Sequence, residues 1–79
     1  MRKVYVGVIA EFAPDGDVTP LSFTWEDDRE YRVDKLLDRV RAASLKAGGV
    51  GMRYTVVVRG KQTYMWLEDG CNRWFMEGK

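Results

Sequence analysis

The chain has 79 residues, 46% hydrophobic and 32% charged, with 13 Lys and Arg against 12 Asp and Glu for a net charge of +1. That length holds one core, hence a single domain over 1–79, and that composition excludes a disordered chain. The near-neutral balance excludes a chain-wide footprint for nucleic acid or anionic membrane, the lack of histidine removes the commonest general base and metal ligand, and no apolar run nears the ~20 residues of a membrane span.

Lys3 to Glu11 reads as a strand, with Val4, Val6, Val8 and Ala10 on one face and Tyr5, Gly7 and Ile9 on the other. Both faces are largely apolar, which predicts a central strand or one covered on both sides. Pro14 to Asp17 is a turn by composition. Val18 to Trp25 is a second strand, and Pro20, which cannot donate a ladder hydrogen bond, assigns that end to a sheet edge. A three-residue loop at Asp27–Arg29 leads into a third strand, Glu30 to Val33, with Trp25 opposite Tyr31.

Asp34 to Ala47 supports two readings. Val33, Leu36, Leu37 and Val40 recur at helical spacing, with Asp34 placed to cap and Gly48 to terminate. Leu36, Asp38, Val40 and Ala42 also alternate with Leu37, Arg39, Arg41 and Ala43, as in a strand. Local pattern favours the helix. Gly48-Gly49-Val50-Gly51 then reads as a connector whose glycines imply positive φ values or a close backbone approach.

The last third is a three-stranded meander. Met52–Arg59 alternates, Gly60-Lys61 suits a type II′ turn, Gln62–Glu68 alternates, Asp69–Asn72 turns, and Arg73–Met76 alternates again. A four-residue second loop pairs Leu67 with Trp74 and Trp66 with Phe75. One face then carries Tyr54, Val56, Val58, Met65, Leu67, Trp74 and Met76, and is the core. The other carries Arg53, Thr55, Val57, Arg59, Tyr64, Trp66, Glu68, Arg73 and Phe75. The first turn sets Arg53 opposite Glu68, a pairing that opposite charges favour.

Catalytic chemistry has little to work with. Ser22 and Ser44 lack a histidine to activate them, and Cys71 lies near Arg73 with no base in its neighbourhood. Asp15-Gly16-Asp17 and Glu26-Asp27-Asp28 lack the twelve-residue span of a calcium loop and read as solvated turns. The glycine connector, flanked by Lys46 and Arg53, is followed by Met52 where a phosphate loop has Lys and then Ser or Thr. Cys71 has no intramolecular partner and reads as a free thiol in a reducing cytoplasm.

The aromatic and arginine face remains as the candidate site: Arg53, Arg59, Tyr64, Trp66, Arg73 and Phe75. Such a face is covered by the rest of the chain, or buried against a second copy, or stacked against bases with its cations on phosphates.

Trp25, Tyr31, Val33, Leu36, Leu37 and Asp38, in the spacing W-x5-Y-x-V-x2-L-L-D, precede Arg53-Tyr54-x-Val56 and Arg73-Trp74-Phe75. The pattern resembles a group of short bacterial proteins of unknown function that close on Gly-Arg-Trp. Here that element reads Gly70-Cys71-Asn72-Arg73-Trp74, two residues longer. The resemblance spans roughly 25 to 76. It implies a small β-barrel-like domain in which Asp34 to Ala43 continues as a bent strand, and it carries no activity or site residues.

The combined expectation is an all-β domain of five or six short antiparallel strands, as an SH3-like barrel or two-layer sandwich. A helix over 34–47 would make it α+β instead. The expected function is a cytoplasmic, non-enzymatic interaction module that forms a homo-oligomer, a dimer, through the aromatic and arginine face. The alternative is a single-stranded nucleic-acid binder using the same face. No cofactor, metal, membrane or small-molecule substrate is assigned.

Overall fold

Side-chain alternation governs almost the whole chain in the computed structural model, which describes residues 2–44 and 48–78. The described residues form seven strands: β1 (Arg2–Phe12), β2 (Val18–Thr24), β3 (Glu30–Arg32), β4 (Lys35–Ala43), β5 (Val50–Val58), β6 (Lys61–Glu68) and β7 (Trp74–Gly78). They join in the order β3-β2-β1-β7-β6-β5-β4, every pair antiparallel, in one curled half-barrel sheet.

Seven strands replace the expected five or six because the segment around 30–43 changes partners partway along. β3 pairs with β2, and β4 pairs with β5. The helix over 34–47 is overturned as well, although residues 45–47 lie outside those described. The register of β4 slips between Leu36 and Asp38, so that Leu37 is an extra residue. A β-bulge breaks the two-residue period there. Leu36 lies opposite core-facing Val56 and Val40 opposite Arg53 of the other face, so the helix-like spacing of Leu36, Leu37 and Val40 is spread over both faces of a strand.

The core is the face expected of the meander. Tyr54, Val56, Val58, Met65, Trp74 and Met76 are buried together with Phe23 of β2. Val6, Val8 and Ala10 of β1, Leu36 and Leu67 pack against them. The Tyr54 and Trp74 rings lie 5.1 Å apart. The second meander loop has the expected register, with Leu67 opposite Trp74 and Trp66 opposite Phe75.

Two turns fall one residue earlier than expected, which shifts each register by two. The β5–β6 turn is Arg59-Gly60, not Gly60-Lys61, because Val58 pairs with Lys61. Both turn residues have positive φ, 51° and 76°, as a type I′ turn requires. Arg53 consequently faces Trp66, and Glu68 faces Gly51. The β2–β3 loop is Glu26–Asp28, where the Trp25 N–H donates to the Arg29 carbonyl and Asp28 has φ 64°. A two-residue slip returns each side chain to its own face, so the core set is unchanged.

Closure of the sheet occurs at Val33-Asp34. The Val33 N–H donates to the Leu21 carbonyl and the Asp34 N–H to the Val57 carbonyl. One extended dipeptide thus ties β2 to β5. Beyond it, Val18–Pro20 pairs only with β1, as Pro20 requires. The remaining gap is spanned by Arg39, whose Nη2 lies 2.9 Å from Asp17 Oδ1.

β5 begins at Val50, so Gly51 is a strand residue and not connector. A Cβ there would sit 2.0 Å from the Leu67 carbonyl oxygen, a close approach that excludes any side chain. Gly48 and Gly49 supply the positive φ values, 78° and 106°. In urea unfolding, Gly51→Ala is expected to lose about 2 kcal/mol or more. Gly7→Ala, where an added Cβ meets nothing within 4 Å, should stay within about 0.5 kcal/mol. Equal losses would contradict the close approach.

Candidate functional site

The convex face of the sheet carries a transverse row set by register: Arg53 on β5, Trp66 on β6, Phe75 on β7 and Tyr5 on β1. Trp66 and Phe75 stack, with centroids 5.6 Å apart and planes 5° from parallel. Tyr5 meets Phe75 edge-on at 6.2 Å, and Tyr64 meets Trp66 edge-on at 6.5 Å. Such pairs add to area burial because ring edges and faces carry opposite partial charge.

Three cations lie over these rings. The Arg53 guanidinium is 4.7 Å from the Tyr64 centroid and 6.0 Å from that of Trp66. Lys3 Nζ is 4.8 Å from Phe75, and Arg73 is 3.5 Å from Tyr5. All are within cation–π range. The connection from β4 to β5 closes in as well. A Cβ on Gly49 would be 3.1 Å from Phe75 Cζ, and the buried Ser44 hydroxyl donates to Glu77 at 2.7 Å.

Trp66 is therefore 3% exposed and Phe75 fully buried, covered within one chain. Tyr64 and Tyr5 stay open at 38% and 40%. Among the expected site residues, Arg53, Tyr64, Trp66, Phe75 and Arg73 come together on this face. Arg59 does not. It lies in the β5–β6 turn with its guanidinium 5.0 Å from the Tyr31 centroid, at the mouth of a separate slot. The Trp66 Nε1 and Arg53 Nε atoms are buried without a hydrogen-bond partner among the described residues.

Sequence reasoning missed Lys3 and Tyr5 as members of this face. Alternation sets Tyr5 opposite the Val4–Ala10 face, but nothing local places β1 beside β7. Those two residues also organise Glu68. Its carboxylate accepts from Lys3 Nζ at 2.7 Å, the Tyr5 hydroxyl at 2.7 Å and the Cys71 thiol at 3.2 Å. These bonds, Lys3 first, lower its pKa from 4.5 to about 2. The acidic turns are only partly the solvated turns expected: Asp15 accepts the Asp17 N–H and Asp27 the Arg29 N–H, but Asp17 pairs with Arg39 and Glu26 with Arg2. Among the described residues no cluster of three or more Cys, Asp or Glu side chains gathers to hold a metal, and no helix is long and apolar enough to cross a membrane.

No protein family, curated protein or solved structure matches the chain.

The Glu68 shift sets a pH dependence. Its folded pKa lies below its unfolded value, so its contribution is complete above the unfolded pKa and is lost as pH falls toward the folded one. Stability should decline between about pH 5 and pH 2. Glu68→Gln should flatten that decline in urea midpoints measured against pH. The residual slope falls to Glu26, whose pKa Arg2 lowers through a side-chain hydrogen bond. An unchanged slope would remove Glu68 as the main titrating group.

Proposed function

We propose that the domain is a non-enzymatic interaction module that self-associates along the free half of β1, next to the Tyr5 and Arg73 corner of the aromatic and arginine face. One observation carries this reading. β1 pairs with β7 only over Arg2–Val6, whereas Gly7–Phe12 pairs only with β2. The second edge of Gly7–Phe12 therefore has no strand on it among the described residues. The segment reads G-V-I-A-E-F, with a single charge, and Ile9 and Phe12 are 59% and 76% exposed.

An apolar edge with free amides and carbonyls is a template for another strand. The opposite edge strand, β4, is blunted by Lys35, Asp38, Arg39, Arg41 and its bulge, devices that discourage edge pairing. The free half of β1 carries no charge before Glu11, and the register shift at Ile9/Ala10 places its extra residue, Leu21, on β2. Antiparallel pairing of β1 with β1 of a second copy uses the same patch on both and closes as a two-fold dimer. Centred near Ile9, it brings Glu11 of one copy toward Arg73 of the other.

The aromatic and arginine face supports the rival nucleic-acid reading less well. Bases stack on open ring faces, and Lys3, Arg53 and the neighbouring rings already occupy those of Phe75 and Trp66. We further read the curled sheet as an SH3-like barrel, because its two edges meet through Val33-Asp34. We place it in the cytoplasm, on the exposed free thiol of Cys71.

Sedimentation equilibrium across the micromolar range should show a monomer–dimer equilibrium. Ile9→Lys should weaken it at least about tenfold by putting a charge on the free edge, while Tyr64→Ala leaves it unchanged. A monomer throughout would defeat self-association. Weakening by Tyr64→Ala alone would move the interface to the convex face. Tryptophan quenching by short oligonucleotides at low salt would favour the rival.

A further inference from the structure

At the end of the half-barrel away from Phe12, an apolar slot of about 360 Å³ opens between β2–β3 and the β5–β6 turn. Its volume lies in the range of small-molecule sites. One wall is the stacked pair Phe23 and Tyr31, 5.4 Å apart and 19° from parallel, with Trp25 beside them. The floor is Val58 and Met76, both buried. Parallel rings on one side and aliphatic side chains on the other make a flat opening.

The mouth carries two cations. Arg59 and Lys61 stand on its rim, and neither side chain has an acidic partner among the described residues. Two carboxylates balance them in number, each accepting from an uncharged donor. Asp34 accepts the backbone N–H of Arg59 at 3.1 Å. Glu77, on the far lip, accepts the Ser44 hydroxyl.

Arg59 carries a second, independent signal. It occupies the first central position of a type I′ turn at φ 51°, where Gly, Asn and Asp are at ease and a long side chain is disfavoured. Backbone conformations of this kind gather at binding sites, where the surroundings hold them. Here the Asp34 carboxylate and the Tyr31 ring hold Arg59 with its guanidinium over the mouth.

We propose that this slot binds a small organic anion with a planar apolar body, an aromatic carboxylate, with its ring against Phe23, Tyr31 and Trp25 and its carboxylate on Arg59 and Lys61. Guanidinium suits a carboxylate because its paired N–H groups match the two oxygens. The site is separate from the free half of β1, so it stands or falls independently of self-association.

Titration of the full chain with naphthalene carboxylate, followed in amide and indole nitrogen–proton correlation spectra, tests it. The Trp25 indole signal should move and saturate, while those of Trp66 and Trp74 stay still. Naphthalene carboxamide, the neutral isostere, should bind about tenfold more weakly, the loss of one charge-assisted contact. Arg59→Gly suits the turn and should fold, and it should lower affinity for the carboxylate to that for the amide. Three results would each overturn the proposal: no saturating shift at Trp25, equal affinity for acid and amide, or Arg59→Gly without effect. Movement of the Trp25 signal with protein concentration alone would assign the slot to a second copy, and would overturn it too.

Discussion

The structure depends on a single dipeptide, Val33-Asp34. In an extended chain successive amides point to opposite sides. Val33 therefore donates to β2 and Asp34 to β5, the strands next to the two edges of the sheet. No loop intervenes in which the sheet could flatten. The sheet must curl until both neighbours reach one backbone, and the curl creates an inside for Tyr54, Val56, Met65 and Trp74. The Asp34 side chain adds to this by holding the Arg59 amide, so the tie also fixes the turn at the slot mouth.

A curled sheet has unequal faces, and the convex one is the harder to cover. The chain covers it with cations in place of a further layer. Trp66 and Phe75 stack, and Lys3 and Arg53 lie over them. Long cationic side chains can do this because their aliphatic stems pack on apolar surface. Lys3 joins two functions, since its ammonium crosses the Phe75 ring to reach Glu68. Glu68, accepting from both Lys3 and Tyr5, anchors that cover at its edge.

Much of this was legible in the sequence because a strand has a period of two. The turn at residues 59–60 and the loop at 26–28 each fall one residue before the place the pattern predicts, which moves the register by two and leaves the inward residues of the meander inward. Leu67 opposite Trp74 followed from loop length alone. What failed lay outside that logic. Around the bulge at Leu37, apolar residues three and four apart read as one helical stripe, although Leu36 and Val40 lie on opposite faces of β4. The pairing of β1 with β7 joins opposite ends of the chain, so Lys3 and Tyr5 could not be assigned to the convex face. The assignment of Arg59 to that face assumed a strand residue, whereas its positive φ turns it toward Tyr31.

The two ends of the half-barrel now have different characters. At one end β7 stops at Trp74 while β1 runs on to Phe12, because the four-residue loop Asp69–Asn72 bends the chain back toward β6. The overhang is a consequence of unequal strand lengths, 11 residues in β1 against 5 in β7. A free edge of that origin can be satisfied only by another strand or by water. At the other end the short β3 leaves Phe23, Tyr31 and Trp25 without a covering strand, and the rings line a slot instead. Strand-length mismatch thus generates both openings. The first exposes backbone groups, which suit an extended chain, whereas the second sets aromatic side chains beside two cations, which suit a flat anion.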